Sequence, residues 1–241
     1  YAALIGPYRT HVPGDGSDQS DRQGYALAVS GAFGMPDPTP FPAPTGVSVA
    51  GNGTAGIAIG FTAAAGAEDF QLYRADGACA SANAGDFRLV GAADASPIDD
   101  DRTQGGFSYA YKVRGVQNDV EGDVSGCVDV VSQDDCTLAP IFDRVSLTAD
   151  AFNATCSVDL SWRPATANCP AATGVTYTVQ RDTDPYFGNP QTLASNLATA
   201  SYSDTGVTDG TPYYYQVVAT DSLGNAAPPS KILNTTPAGS D

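Results

Sequence analysis

One histidine, five cysteines and a run of three aspartates are the residues of this 241-residue chain whose types invite a chemical reading. Nucleophilic acyl transfer needs a Ser, a His base and an Asp that orients it, brought together by the fold. His11 is the only histidine, and it sits in the loop-like stretch Arg9-Thr10-His11-Val12-Pro13, with no Gly-rich nucleophile turn elsewhere. It reads as an exposed loop or interface histidine, and no catalytic residue is assigned. Asp99-Asp100-Asp101, followed by Arg102, is the densest acidic run. Hard cations take several oxygen ligands, and loop carboxylates supply them, so Asp99, Asp100 and Asp101 are weak metal candidates with calcium as the ion. The run lacks the DxDxDG spacing of a dedicated loop, and a solvated turn is the competing reading. Asp182 and Asp184, beside Tyr186-Phe187-Gly188, form a second candidate of the same grade. No other cofactor is indicated.

The cysteines stand at 79, 127, 136, 156 and 169, without a CxxC pair or a Cys/His cluster. That spacing argues against zinc and for disulfides. Cys156 and Cys169 flank the Trp162 strand and the turn at 164–168, so a bond between them would staple a short loop. Cys79, in the loop after Tyr73-Arg74, is placed to reach Cys127 at the start of a last strand. Cys136 is left over in a linker, either free or available to another chain. Tyr213, Tyr214 and Tyr215 raise the idea of sugar stacking, but strand alternation turns only Tyr214 outward, which makes a poor platform.

The net charge is −16, from 27 acidic and 11 basic residues, and the acidity is spread along the chain. Phosphate binding needs clustered Lys and Arg, so nucleic acid is excluded as a partner. No apolar run approaches the roughly 20 residues of a membrane span. Only 16% of residues are charged, beside 26 Gly and 17 Pro, a composition suited to secreted, extracellular β proteins. The chain opens at Tyr1 without an initiator Met, so it is expected to be processed from a larger precursor.

Positioning comes from a repeat. Ile57-Ala58-Ile59-Gly60-Phe61, Phe70-Gln71-Leu72-Tyr73-Arg74 and Tyr109-Ala110-Tyr111-Lys112-Val113 recur as Val158-Asp159-Leu160-Ser161-Trp162, Tyr177-Thr178-Val179-Gln180-Arg181 and Tyr213-Tyr214-Tyr215-Gln216-Val217. Each run alternates large apolar with small or polar residues, the period of a strand with one buried face. The expected fold is all-β, two tandem β-sandwiches at 45–134 and 135–241. They follow an N-terminal strand segment at 1–34 and a Pro-rich linker at 35–44. In the N-terminal segment Leu4 and Ile5, and then Tyr25, Leu27 and Val29, form short apolar strands that cannot bury a face by themselves.

At these residues the chain resembles fibronectin type III modules. The likeness rests on Trp162 in the second strand, with Phe61 at the matching place in the first copy, and on Tyr109 and Tyr213 opening the sixth. It implies a tyrosine corner, in which the Tyr hydroxyl bonds nearby backbone. Gln23-Gly24-Tyr25-Ala26-Leu27-Ala28-Val29-Ser30-Gly31 resembles the closing strand of the β-sandwich that follows the catalytic domain in some secreted bacterial subtilisin-like serine peptidases. That resemblance implies a peptidase precursor, whereas nothing here matches the sequence patterns around its three catalytic residues; the chain is expected not to be an enzyme.

Two functions fit. An orphan strand is satisfied by joining a neighbour's sheet edge, and head-to-tail repetition of such a contact grows a fibre. Under that reading copies of the chain assemble through Leu4, Ile5, Tyr25, Leu27 and Val29, with Cys136 as a covalent link. The alternative is a set of accessory or spacer modules that dock a secreted subtilisin-like peptidase on protein or polysaccharide surfaces.

Overall fold

The computed structural model describes residues 41–118, 120–151 and 156–238. The expected assembly strands around Leu4, Ile5, Tyr25, Leu27 and Val29, and His11 with them, lie outside the described residues.

The first module pairs β1 (Thr45–Gly53), β2 (Gly56–Thr62) and β5 (Ile98–Asp100) into one antiparallel sheet. Facing it are β4 (Arg88–Ala93), β3 (Asp69–Asp76), β6 (Ser108–Gln117) and a divided last strand, β7 (Val120–Val124) and β8 (Val128–Val131), both halves of which pair with β6. Alternation fixes what each strand buries. Ile57, Ile59 and Phe61 from β2 meet Phe70 and Leu72 from β3 and Tyr109, Tyr111 and Val113 from β6, all buried.

The second module repeats this plan. β9 (Thr148–Asp150), β10 (Val158–Ser161) and β13 (Ser201–Asp204) form one sheet. β12 (Gln191–Leu197), β11 (Val175–Asp182), β14 (Tyr213–Asp221) and β15 (Leu233–Thr235) form the other. Val158, Leu160 and Trp162 pack against Tyr177, Val179, Tyr215 and Val217, with the Trp162 and Tyr177 rings edge to face at 5.3 Å. Three-strand and four-strand layers in this order make both modules fibronectin type III-like sandwiches, and the described fold is all-β.

A buried serine stands at the same place in each module, dividing the last strand of the first and preceding that of the second. Val113 N donates to Ser125 Oγ at 2.8 Å, and Val217 N donates to Ser230 Oγ at 3.0 Å. In each case the hydroxyl occupies the position of a ladder carbonyl, so the strand bends while the neighbouring N–H keeps an acceptor. At the entry to the first module Phe41 lies on β6 and β7, and its carbonyl accepts from Asp123 N at 3.1 Å. A Cβ at Gly122 would overlap the Phe41 ring, which is why that position has no side chain.

Candidate functional site

Charged chemistry inside the modules comes as two matched clusters. In the first, Arg74 Nη1 lies 2.8 Å from Asp100 Oδ2, and Tyr111 Oη donates to the same oxygen at 2.9 Å. Asp100 Oδ1 accepts from Arg102 N at 3.1 Å, and Arg74 also donates to the Arg102 carbonyl at 3.0 Å. In the second, Arg181 and Tyr215 converge on Asp204 Oδ2, each at 2.8 Å, while Gly206 supplies the N–H and the carbonyl. The guanidinium carbon also sits over a ring in both copies, 4.8 Å from the Tyr109 centroid and 4.9 Å from that of Tyr213. Each ring hydroxyl accepts a backbone N–H, from Gln104 at 3.0 Å and from Thr208 at 3.1 Å, which is the tyrosine corner.

Burial, then the neighbouring Asp100, pushes the Tyr111 phenol far above its ordinary range; burial and Asp204 do the same to Tyr215. Burial pulls the Arg74 guanidinium down, but the charge and hydrogen bond of Asp100 outweigh it and the net shift is upward. All three groups are therefore locked in the protonation state they hold at neutral pH. That protonation state is the one in which the groups bond one another, which suits a packing role.

The metal candidates come out differently from their sequence reading. Asp99, Asp100 and Asp101 end a strand, so their side chains alternate: Asp100 is buried with both oxygens taken, while Asp99 and Asp101 face solvent. The three carboxylates do not converge on an ion. Asp182 and Asp184 are spent on their own turn, accepting the backbone N–H groups of Asp184, Asn189 and Tyr186 at 2.8–2.9 Å. Those backbone bonds hold the Asp182 carboxyl below its usual range.

Cys79 and Cys127 are joined, and the second bond runs between Cys136 and Cys169. The pairing expected of Cys156 with Cys169 is not the one the fold makes, and Cys136 is not the leftover thiol; Cys156 is. The reason is the path of the linker. Chain 132–141 folds back along the second module, where Ile141 bridges Thr166, and this brings Cys136 to within 5.8 Å of Cys169 between Cα atoms. Sequence spacing carries no trace of that return.

The same linker builds the site with the most structural investment, a joint between the modules. On the first module's side Gly106 N donates to Ser132 O at 2.8 Å, and Thr137 N donates to Gln104 Oε1 at 2.8 Å. Gly105 must be glycine, since a Cβ there would overlap the Asp134 carbonyl. On the second module's side Asn225 Nδ2 donates to the Cys136 carbonyl and to Asp221 Oδ2, each at 3.0 Å. Burial raises the Asp221 carboxyl, but the Asn225 side chain and the backbone N–H groups of 223–225 lower it further, so it stays ionised to unusually low pH. The modules themselves meet where a Cβ on Gly106 would lie 3.2 Å from Pro170 Cβ. Sequence reasoning did not single out Gln104, Gly105 or Asp221, and read Asn225, with Gly224, only as the turn before the last strand. The paired glycines and the acidic-Asn turn were the legible signals.

Fold and joint together define a tandem of fibronectin type III-like modules held by a cross-linked connection. No family model matches the chain. It is 35% identical over 133 residues to Exoglucanase B of Cellulomonas fimi, a match covering 54% of this chain and 11% of that protein. The chain thus spans about a tenth of the length of that curated relative. Among solved structures it is similar to the FN1–FN3 domains of chicken CNTN1, with 13% identity, TM-score 0.48, 83% of this chain and 67% of that one covered. It is also similar to an Fn3-like protein from Clostridium thermocellum, with 31% identity, TM-score 0.34, 43% of this chain and 99% of that one covered.

Proposed function

We propose that this chain is a non-catalytic spacer within a larger secreted protein. Its two modules hold neighbouring domains at a set distance and orientation on an extracellular protein or polysaccharide surface. The observation that carries this reading is the joint, in which a six-residue stretch from Ser132 to Thr137 bonds the first module while the Cys136–Cys169 disulfide bonds it to the second. A flexible connection would need none of these contacts. Two disulfides support an oxidising compartment. The likeness to part of Exoglucanase B supports a polysaccharide hydrolase, rather than a peptidase, as the kind of protein served.

Small-angle scattering on the full chain tests it. A single narrow inter-module distance that broadens on Cys136→Ser/Cys169→Ser substitution is expected; a distribution equally broad in both forms would overturn the spacer.

Strand-donating assembly is a second reading, favoured by the alternation of Tyr25, Leu27 and Val29 with small residues in the sequence. It loses Cys136 as its covalent link, because that thiol is bonded within the chain. Fibres seen by electron microscopy that vanish on deletion of residues 1–34 are its signature, and their survival would remove it.

A further inference from the structure

The internal repeat serves as a control. Features present in both modules maintain the sandwich: the Arg–Asp–Tyr cluster, the tyrosine corner and the buried serine of the last strand. A built feature present in only one module calls for another explanation, and the outer face of β3 and β6 holds one. A groove of about 260 Å³ is lined there by Tyr73, Ala84, Phe87, Lys112, Arg114 and Val124. Lys112 Nζ lies 4.5 Å from the Phe87 ring centroid, and the Arg114 guanidinium lies 5.9 Å from that of Tyr73. Tyr73 Oη donates to Gln71 Oε1 at 2.7 Å, and Arg114 pairs with Glu121. Leu89 and Val124, 54% and 41% exposed, extend the apolar rim.

Among the described residues of the second module, the matching positions carry neither the aromatic ring of Tyr73 nor the two cations. Tyr73 stands opposite Lys112 across the strand pair, and the matching pair in the second module is Gln180 opposite Gln216. Gln71 opposite Arg114 becomes Thr178 opposite Val218. The groove wall is also specific to the first module. The loop after β3 carries Ala84 and Phe87 and is tied down by Cys79–Cys127, with Cys79 N donating to Asp129. The corresponding loop after β11 holds no disulfide and closes on Asp182 and Asp184, with its Tyr186 ring exposed to solvent.

We propose that this groove is a binding site for a short stretch of an uncharged glycan chain. Charge decides the class. The −16 of the whole molecule disfavours the approach of a polyanion, and the groove itself, with Lys112 and Arg114 against Glu121, repels basic segments. Among the described residues Lys112 has no carboxylate partner, so its N–H donors are available to hydroxyl oxygens. Aromatic rings offer apolar faces to sugar C–H groups, while Gln71, Glu121, Lys112 and Arg114 supply donors and acceptors for the hydroxyls. The volume, just below the usual range for ligand sites, suits one or two sugar units of a chain that runs on beyond the open groove. The proposal goes beyond the spacer reading and does not depend on it.

The test is amide-resolved NMR titration of the full chain with cellohexaose, xylohexaose and chitohexaose, and separately with a hexagalacturonate. Saturable shifts confined to β3, β6 and the loop at 77–87 are expected with at least one neutral oligomer. Tyr73→Ala and Lys112→Ala should each weaken binding roughly tenfold, and Gln180→Ala in the second module should leave it unchanged. Absence of shifts with every neutral oligomer, or binding of the uronate alone, overturns the proposal. Either result leaves the inter-module distance, and with it the spacer reading, untouched.

Discussion

Asp100 and Asp204 each gather an arginine and a tyrosine on one carboxylate oxygen, out of reach of solvent. Removing one member strands the others, and broken buried ion pairs cost about 3–5 kcal/mol. Asp100→Ala is therefore expected to lower the unfolding free energy by about 3 kcal/mol or more, with Asp204→Ala matching it in the second module, as read by denaturant unfolding of the oxidised chain. A second expectation concerns alkali. Tyr111 and Tyr215 have folded pKa values raised by burial and by their aspartates, above an unfolded value of about 10. Their contribution is complete below that pH and drains away as pH rises past it. Two of the 12 tyrosines should thus ionise, by absorbance near 295 nm, only as the modules unfold. The cluster was half legible. Arg74 continues the inward phase of Phe70 and Leu72, and Arg181 continues that of Tyr177 and Val179, a charge in a buried register. What hid the answer was Asp100, whose neighbours on both sides are also aspartates and made a strand end look like an acidic loop.

Among the elements, strands were readable and their connections were not. Alternation marks β2, β3 and β6 and their counterparts because a strand's period is local; the path of the linker is set by contacts dozens of residues apart. The turn 221–225 shows the difference. Asp221 and Asn225 read as an ordinary turn after β14, yet the Asn225 amide reaches across to the Cys136 carbonyl. Since the Asp221 carboxyl titrates below its unfolded value of about 4, its support for that turn is full above this pH and fades as pH drops through the folded value. Protection of the Leu223 backbone N–H, which donates to Asp221 Oδ1, should fall below about pH 4 before either core opens, as read by NMR exchange corrected for the intrinsic rate, and Asn225→Ala should lower that protection already at neutral pH.

At the scale of the molecule, two near-copies are fastened end to end, and the fastening survives only if the right sulfurs meet. The closed loop of Cys136–Cys169 spans 33 residues, and by chain-entropy arithmetic such a bond adds roughly 4 kcal/mol to the fold it closes. Cys156 lies between the two partners in chain order, half-buried and unbonded, at a backbone φ of 50°. It precedes Cys169 in the chain, so a competing thiol is present before the native partner of Cys136 is made. A chain that joins Cys136 to Cys156 must exchange sulfurs to reach the native bond, a step that takes seconds to hours depending on oxidant and isomerase. Cys156→Ser should raise the yield of correctly bonded chain in oxidative refolding without added isomerase, measured by peptide mapping, while native stability stays unchanged. The odd cysteine is thus expected to tie the yield of this protein to the shuffling capacity of the compartment in which it folds.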